Sequence, residues 1–557
     1  MKIRKIDHAN DFFQPFIQEI EKEVAKIMKQ PLPPQMTYEA ILAFSQKGSR
    51  TESETIYFKR RKTVVALALY LQWQKDPLIM QHFKNLVWDI TQEYSWALPA
   101  HFSKDNPETT IDLFASETAH MLAEFAKIFA IDFESLLLTE INKQIRRRII
   151  TPFLANEWPW EKFKNNWSAV CAGAIGMMAL ECGVETKERE IILDRCLKAM
   201  DYFLAGYGDD GCCTEGVSYW VYGFGFYLYF AECYRRHIGI SLLENEKLEA
   251  IASFPGKVYW QEQFVMFSDV TSTTHIPSGI KSFLKQNFAQ IQLKNEKISS
   301  FHFDHCYRWA HLSRILNWSE PEVPAQPDKT SSHHFFKDAQ WLIFKNEKLF
   351  FAAKGGHNDE SHNHNDLGHF VYGIDDELTF VDFGAAAYSA DYFGEKRYTY
   401  IQTRSNWHSV PTINDKEQQA DAKYRAKVEN AQHDDSGCKF KLDLSEAYET
   451  PTTLKRTFYL DANTQQLQII DQSTAQNYQG NFVTYKQPIL KKGKILIQPL
   501  KLTYDENLFE VATEKAVATN HFGLKTDVYA TRLKAKKQSH QYEFLITRMS
   551  NSKENYT

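Results

Sequence analysis

Apolar residues recur at helical spacing from the start of the chain to about Trp318, and at a period of two beyond it. Met121, Leu122, Phe125, Ile128 and Phe129 share one helical face, and similar stripes run through 60–75, 168–182 and 190–204. Pro152, Pro159, Gly206, Gly208 and Gly211 punctuate them. Amphipathic helices in series predict stacked helical hairpins over 1–318. No strict sequence repeat marks a regular solenoid. Residues 319–333 read as a linker, since Ser319-Glu320-Pro321-Glu322-Val323-Pro324-Ala325-Gln326-Pro327-Asp328 holds three prolines and little to bury. From 334 to 557 the pattern predicts an antiparallel β-sandwich. Phe440, Leu442 and Leu444 alternate with Lys439, Lys441 and Asp443. Trp341–Phe344 and Leu349–Ala352 flank a turn at Asn346-Glu347, and Leu454–Leu460 and Leu467–Ile470 flank one at Asp461–Thr464. The predicted class is multidomain, α then β.

A chain of 557 residues is too long for one ordinary core, which agrees with two domains. Its 27 Tyr, 39 Phe and 12 Trp suit large cores, and also clefts where flat rings stack on sugars. A net charge of −5 argues against a nucleic-acid partner, so an anionic ligand must be met by local basic groups. Arg146-Arg147-Arg148 and Arg404 could supply them through guanidinium forks, although the triplet also reads as a solvated helix face. Met1-Lys2-Ile3-Arg4-Lys5-Ile6-Asp7-His8 has basic residues but no apolar run behind it, and no apolar stretch is long enough to span a bilayer. The eight cysteines, with Cys212 and Cys213 adjacent, form no disulfide framework. These features lead us to expect a cytoplasmic protein with reduced thiols and no membrane partner. They set no oligomeric state.

The densest chemistry lies in Lys354-Gly355-Gly356-His357-Asn358-Asp359-Glu360-Ser361-His362-Asn363-His364-Asn365-Asp366. If Ser361–Asp366 is extended, His362, His364 and Asp366 fall on one face. Two imidazoles there can hold a divalent metal, or divide into one ligand and one acid/base. A turn at Gly373-Ile374-Asp375-Asp376 would bring Asp382 back alongside them, and His408 closes a further run at Arg404-Ser405-Asn406-Trp407-His408. Two helical-half segments also stand out. Asn165-Asn166-Trp167 opens an apolar helix with Asn165 as a candidate cap. Asp210-Gly211-Cys212-Cys213-Thr214-Glu215-Gly216-Val217-Ser218-Tyr219 and the following Tyr222 put acids, glycines and phenols at a loop-to-helix junction.

Asn165-Asn166-Trp167, Glu215-Gly216-x-x-Tyr219, the Lys354–Asp366 run, Val381-Asp382-Phe383-Gly384 and His408-Ser409-Val410-Pro411 together resemble the heparinase II/III-like polysaccharide lyases, in order and spacing across about 160–420. The resemblance implies an incomplete (α/α) toroid followed by an antiparallel β-sandwich, with the active site in the cleft between them. It implies β-elimination on a uronate. Asn166 then looks like the carboxylate neutraliser, Tyr219 the acid (and base for same-face elimination), and His362 the alternative base. His364, Asp382 and His408 resemble the ligands of a structural zinc. Trp167, Glu215, Tyr222, Tyr392 and Arg404 are the candidate substrate contacts, and Tyr222, Tyr388 and Tyr392 are rival phenols to Tyr219. Trp167 stands where several members have His, and Ser409 where Asn is usual.

The leading expectation is a lyase on acidic oligosaccharide, heparin or heparan type, with alginate-type oligouronates as the alternative within the same chemistry. A cytoplasmic enzyme would meet short oligosaccharides already cut outside the cell. A glycoside hydrolase on the same toroid would need two opposed carboxylates, for which Asp210 and Glu215 are the candidates. A non-catalytic sugar- or metal-binding protein is the third class.

Overall fold

The computed structural model describes residues 10–549 except 104, 272, 289–290, 292, 294–296 and 322–330. Most of the expected linker, and the first eight residues, lie outside the described residues. The chain divides into two compact units. One comprises Met1–Tyr207, Tyr219–Ala252 and His275–Ala325; the other comprises Gly208–Ser218, Ser253–Thr274 and Gln326–Thr557. Two segments from within the helical stretch of sequence, 208–218 and 253–274, thus belong to the second unit.

The first unit is helical, as its apolar periodicity predicts. Helices start where short polar side chains take up the free backbone N–H groups of a first turn. Asp76 caps Pro77–Thr91, Asp112 caps Leu113–Ile128, and Asn165 caps Asn166–Glu181 by accepting from the Trp167 N–H at 3.1 Å. The last of these is buried almost throughout. Its Gly176 lets the Phe230 ring come so near that a Cβ would stand 2.4 Å away. Arg314 and Glu124 pair in this core at 2.7 Å, and the Trp309 indole donates to the same carboxylate. No helix among the described residues is long and apolar enough to cross a membrane.

The second unit is antiparallel β. Ser332–Phe336, Trp341–Lys345, Leu349–Lys354, Phe370–Ile374 and Glu377–Phe380 form a five-stranded meander. An eight-stranded sheet runs in the order Lys427–Asp434, Gly437–Asp443, Leu454–Asp461, Gln466–Ser473, Gln541–Arg548, Leu500–Tyr504, Lys494–Ile497, Ile489–Lys491. A four-stranded sheet holds Phe509–Thr519, Lys525–Ala535, Tyr478–Thr484 and Thr412–Ile413. Inward-facing Phe351, Phe370, Phe440, Phe458, Phe482 and Phe544 belong to one apolar cluster. The two predicted hairpins form with their turns as expected. The turn before Glu377 places Asp375 and Asp376 at φ of 52° and 67°, the left-handed pair that suits the twist of a hairpin.

Candidate functional site

The sequence run 361–366 is not a strand. The only strand within Lys354–Asp366 after Lys354 itself is His357–Asn358, and the chain then turns, with His362 at a φ of 60°. The grouping expected from a period of two arises instead through a shared partner, Asp269. This buried carboxylate takes His362 Nδ1 at 2.8 Å on Oδ2 and His364 Nε2 at 3.1 Å on Oδ1. Arg397 donates to it at 3.1 Å, and the Tyr392 hydroxyl donates to it too. Burial alone would raise the Asp269 carboxyl, but the two imidazoles and Arg397 hold it well below the usual carboxylate range. A carboxylate that accepts from Nδ1 leaves the lone pair of His362 on Nε2, which is the nitrogen a base must present. His362 Nε2 lies 3.8 Å from Glu215 Oε1.

Two motif glycines explain how Asp269 is aimed. Gly216 has a φ of 94°, and a Cβ there would meet Val270 Cγ2 at 2.1 Å. Gly384 has a φ of 64°, and a Cβ there would meet the Val270 carbonyl oxygen at 2.3 Å. The Glu215-Gly216 and Asp382-Phe383-Gly384 motifs therefore close on Val270 from two segments, fixing the residue next to Asp269. Ala385 N–H donates to the same carbonyl at 3.0 Å.

His364, Asp382 and His408 come together, all buried, and Asp366 joins them: one ligand atom from each of the four lies within 4.8 Å of the others. His408 Nδ1 donates to the Arg404 carbonyl at 3.0 Å, so its lone pair is on Nε2. His364 donates through Nε2 to Asp269, so its lone pair is on Nδ1. These two nitrogens face each other at 3.3 Å, and Asp382 oxygens stand 3.6 Å from His364 Nδ1 and 3.5 Å from His408 Nε2. Zinc–ligand bonds of about 2.0–2.1 Å at tetrahedral angles set ligands about 3.3–3.4 Å apart. Asp382 Oδ2 and Asp366 Oδ2 are buried without a hydrogen-bond partner, the state of oxygens that await a cation. The residues fit zinc. Burial lowers His364, but the hydrogen bonds to Asp269 and Asp382 outweigh it and raise the imidazole to about 9, so without a metal Nδ1 also holds a proton, which a bound zinc would displace to take that lone pair. His369 is excluded as a ligand. Its Nδ1 accepts from the Ser409 N–H at 2.9 Å, so its Nε2 carries the proton.

Ser409 holds this shell in place in a further way: its hydroxyl accepts from Val483 N–H at 3.2 Å. Buried Arg456, paired with Asp471 at 2.7 Å, donates to the carbonyls of Gly368 at 3.0 Å and Ser409 at 2.7 Å. Both histidine-bearing segments are thereby anchored to the eight-stranded sheet. Lys354, also buried, pairs with Asp366 at 2.8 Å.

The remaining expected residues fall as follows. Asn166 is buried at the first turn of its helix, and Trp167 is partly exposed with its ring 5.0 Å from that of His101. Tyr219 is partly exposed in the helix Val217–Ile238. These three and Tyr222 belong to the helical unit, whereas Glu215, His362, Tyr392 and Arg404 belong to the β unit. Tyr222 gives its hydroxyl to Glu117 and lies under Arg308, 4.0 Å from its ring. Tyr392, expected at the substrate, is wholly buried with its hydroxyl on Asp269, so it positions the carboxylate rather than touching a ligand. Arg404 pairs with Glu417. The arginine triplet is structural: Arg146 pairs with Glu188, Arg147 with Glu108, and Arg148 donates to Gln144 and to the Glu93 and Tyr94 carbonyls. Of the rival phenols only Tyr388 adjoins His362, its ring nearly parallel at 6.3 Å. Asp269 and Arg397 escaped the sequence reading. The one local sign of Asp269 is that Phe264–Val270 breaks the helical period around it.

No curated protein sequence matches the chain. Residues 328–538 match the family model described as Heparinase II/III-like, C-terminal. Among solved structures, the heparan sulfate lyase HepC from Pedobacter heparinus is 12% identical with a TM-score of 0.63, over 99% of this chain and 86% of that one. A structure titled Heparinase III is 11% identical with a TM-score of 0.64, over 97% and 93%. A heparinase III gene product, BT4657, is 14% identical with a TM-score of 0.63, over 98% and 92%. Helical N-terminal and antiparallel C-terminal parts match that fold, an incomplete (α/α) toroid followed by a β-sandwich. Residues 328–538 thus match a heparinase II/III-like C-terminal domain, and the chain shares the fold of the heparinase III structures.

Proposed function

We propose that this chain is a polysaccharide lyase that cleaves uronic-acid-containing oligosaccharide by β-elimination, with heparin or heparan fragments as the first substrate class to test. The observation that carries the reading is the Asp269–His362 pair, a buried carboxylate at 2.8 Å that leaves Nε2 as the basic nitrogen. In the proposed reaction the C5–H bond breaks, with the proton going to His362 Nε2 or to the Tyr219 oxygen. The electron pair forms the C4–C5 double bond as the C4–O bond breaks, and the departing oxygen takes a proton from Tyr219. Asn166 stabilises the negative charge that builds on the substrate carboxylate. A bound zinc would tie His364 and Asp382 to His408, and no step of the elimination uses it.

The hydrolase alternative loses one of its two carboxylates. Asp210 Oδ1 accepts from Cys212 N–H at 3.0 Å, and Oδ2 from Asp338 and Ala339 N–H at 2.7 and 3.2 Å, so this side chain anchors a turn. The proposed setting is the cytoplasm, supported by eight free cysteines of which seven are buried.

The test incubates the protein with heparan-type and alginate-type oligosaccharides of increasing length and follows ultraviolet absorbance of the new double bond. Unsaturated products are expected, faster from short chains than from polymer. Tyr219→Phe and His362→Ala should lower turnover far more than binding. Saturated products with water incorporated would overturn the lyase reading. Rapid viscosity loss with intact polymer, or absence from the cytosolic fraction of cells, would overturn the intracellular one.

A further inference from the structure

Three helices of the helical unit begin around one imidazole, that of His101. Thr51–Tyr70 starts directly after Arg50, whose Nη2 stands 3.4 Å from His101 Nε2. Leu113–Ile128 starts at Asp112, whose Oδ2 takes His101 Nδ1 at 2.7 Å. Asn166–Glu181 starts at Asn165, and its second residue, Trp167, sets its ring 5.0 Å from that of His101. The start of a helix carries partial positive charge on its backbone N–H groups, so three such ends together favour an anion here.

The side chains are held to give further hydrogen bonds. Asp112 is buried and also accepts from the N–H groups of Leu98 and Ala115, at 3.2 and 2.7 Å. It fixes a proton on His101 Nδ1, and its carboxylate balances the charge of an imidazolium when Nε2 is protonated too. Arg50 is anchored by Glu54, which takes its Nε at 2.7 Å and leaves Nη2 for another partner. The 3.4 Å between Nη2 and His101 Nε2 exceeds the roughly 2.7–3.2 Å of a normal hydrogen bond, so these nitrogens lie side by side rather than bonded. Two donors so placed can each give an N–H to a different oxygen of one carboxylate or sulfate. The Arg50 and His101 side chains keep 15% and 13% of their surface, enough for such a group to touch them.

We propose that Arg50 and His101 form an oxyanion subsite of the helical unit, which takes a carboxylate or sulfate of the glycan next to the Asn166 turn. The inference deepens the lyase reading and rests on it for the class of ligand. With His101 protonated, Nε2 gives a hydrogen bond to one oxygen of the anion and Arg50 Nη2 gives one to another. The subsite selects for acidic sugars at a place where Asn166 and Trp167 offer only neutral groups.

The experiment measures Kd by calorimetry in a His362→Ala background, which spares the ligand from cleavage. The ligands are three matched tetrasaccharides: a sulfated heparan-type chain, its desulfated form and its carboxyl-reduced form. His101→Gln and Arg50→Gln should each weaken binding of the fully acidic chain roughly tenfold or more, the loss expected of one charge-assisted hydrogen bond. A loss that persists without sulfate and vanishes on carboxyl reduction identifies the oxyanion as the carboxylate; the reverse pattern identifies a sulfate. Equal weakening of all three ligands would make the cluster a structural one and overturn the proposal, as would unchanged affinity in both variants. Should His101→Gln fail to fold because Asp112 loses a partner, Arg50→Gln decides, since it leaves the His101–Asp112 pair in place. Failure of the lyase reading shows separately, as wild-type protein that binds the acidic chain through these residues yet forms no unsaturated product.

Discussion

Replacing Asp269 with Asn tests the centre of the β-unit site. The carboxylate accepts four donors, from His362, His364, Tyr392 and Arg397, and is buried. A carboxamide keeps the shape but turns one acceptor oxygen into an NH2 group that faces donors. At least one partner must lose its acceptor, and Arg397 becomes a cation at 12% exposure without its counter-charge. Breaking one side of such a pair costs about 2–4 kcal/mol, less than for a fully enclosed pair because His362 and Arg397 keep some access to water. His362 would then accept from the new NH2 through Nδ1, moving its proton to Nε2 and removing the basic nitrogen. Loss of a positioned base lowers turnover by about 10²- to 10⁴-fold. The assay is initial rate of double-bond formation against substrate concentration, with melting temperature and zinc content measured on the same preparation. We predict a large fall in kcat, KM within a few-fold of wild type, and a lower Tm. A variant with near wild-type kcat and Tm would refute the argument, since neither the base nor the fold would then depend on this carboxylate.

Further predictions concern the metal and the helical unit. Elemental analysis of protein prepared without chelators should find about one zinc per chain, and Asp382→Asn should lose it and melt earlier; wild-type protein without metal would refute the site. Glu117 is raised to about 7, chiefly by burial and against the pull of Arg308, so the folded state holds this proton more tightly than the unfolded state. Its contribution to stability should therefore be full below about pH 4.5 and decline as pH rises to about 7, by up to about 1.4 kcal/mol per unit. Glu117→Gln should abolish that decline, and denaturation midpoints that fall in parallel for both proteins between pH 5 and 7 would count against it.

The fold was legible because two periodicities occupy different stretches of sequence. Apolar spacing of 3.6 gives helices such as Leu113–Ile128 and Asn166–Glu181, and alternation gives Gly437–Asp443 with Phe440 and Leu442 turned inward. Period alone does not say which compact unit a segment joins. Segments 208–218 and 253–274 carry no strong period and sit among helices in sequence, yet they belong to the β unit. Their membership is fixed by contacts such as Asp210 with the Asp338 and Ala339 amides, which no local pattern announces.

The same distinction governs the site. His364, Asp382 and His408 stand in recognisable runs whose ligand atoms, with one from Asp366, lie within 4.8 Å of one another, and the glycines at 216 and 384 mark where backbone closes on Val270. Asp269 has no run of its own: it lies 93 residues from His362, and its importance comes only from the donors that converge on it. Tyr392 shows the converse error. A tyrosine near a histidine-rich segment reads as a ligand contact, but its hydroxyl is spent on Asp269 inside the protein. Burial, which sequence spacing does not encode, thus separates a residue that touches substrate from one that aims another. His362, the proposed base, and the candidate metal ligand His364 share one carboxylate, so a substitution at either histidine disturbs the other through Asp269. Activity loss in His364 or Asp382 variants therefore acquires meaning only beside metal content and Tm, because the geometry makes a fall in turnover the expected consequence of losing the anchor as well as of losing the chemistry.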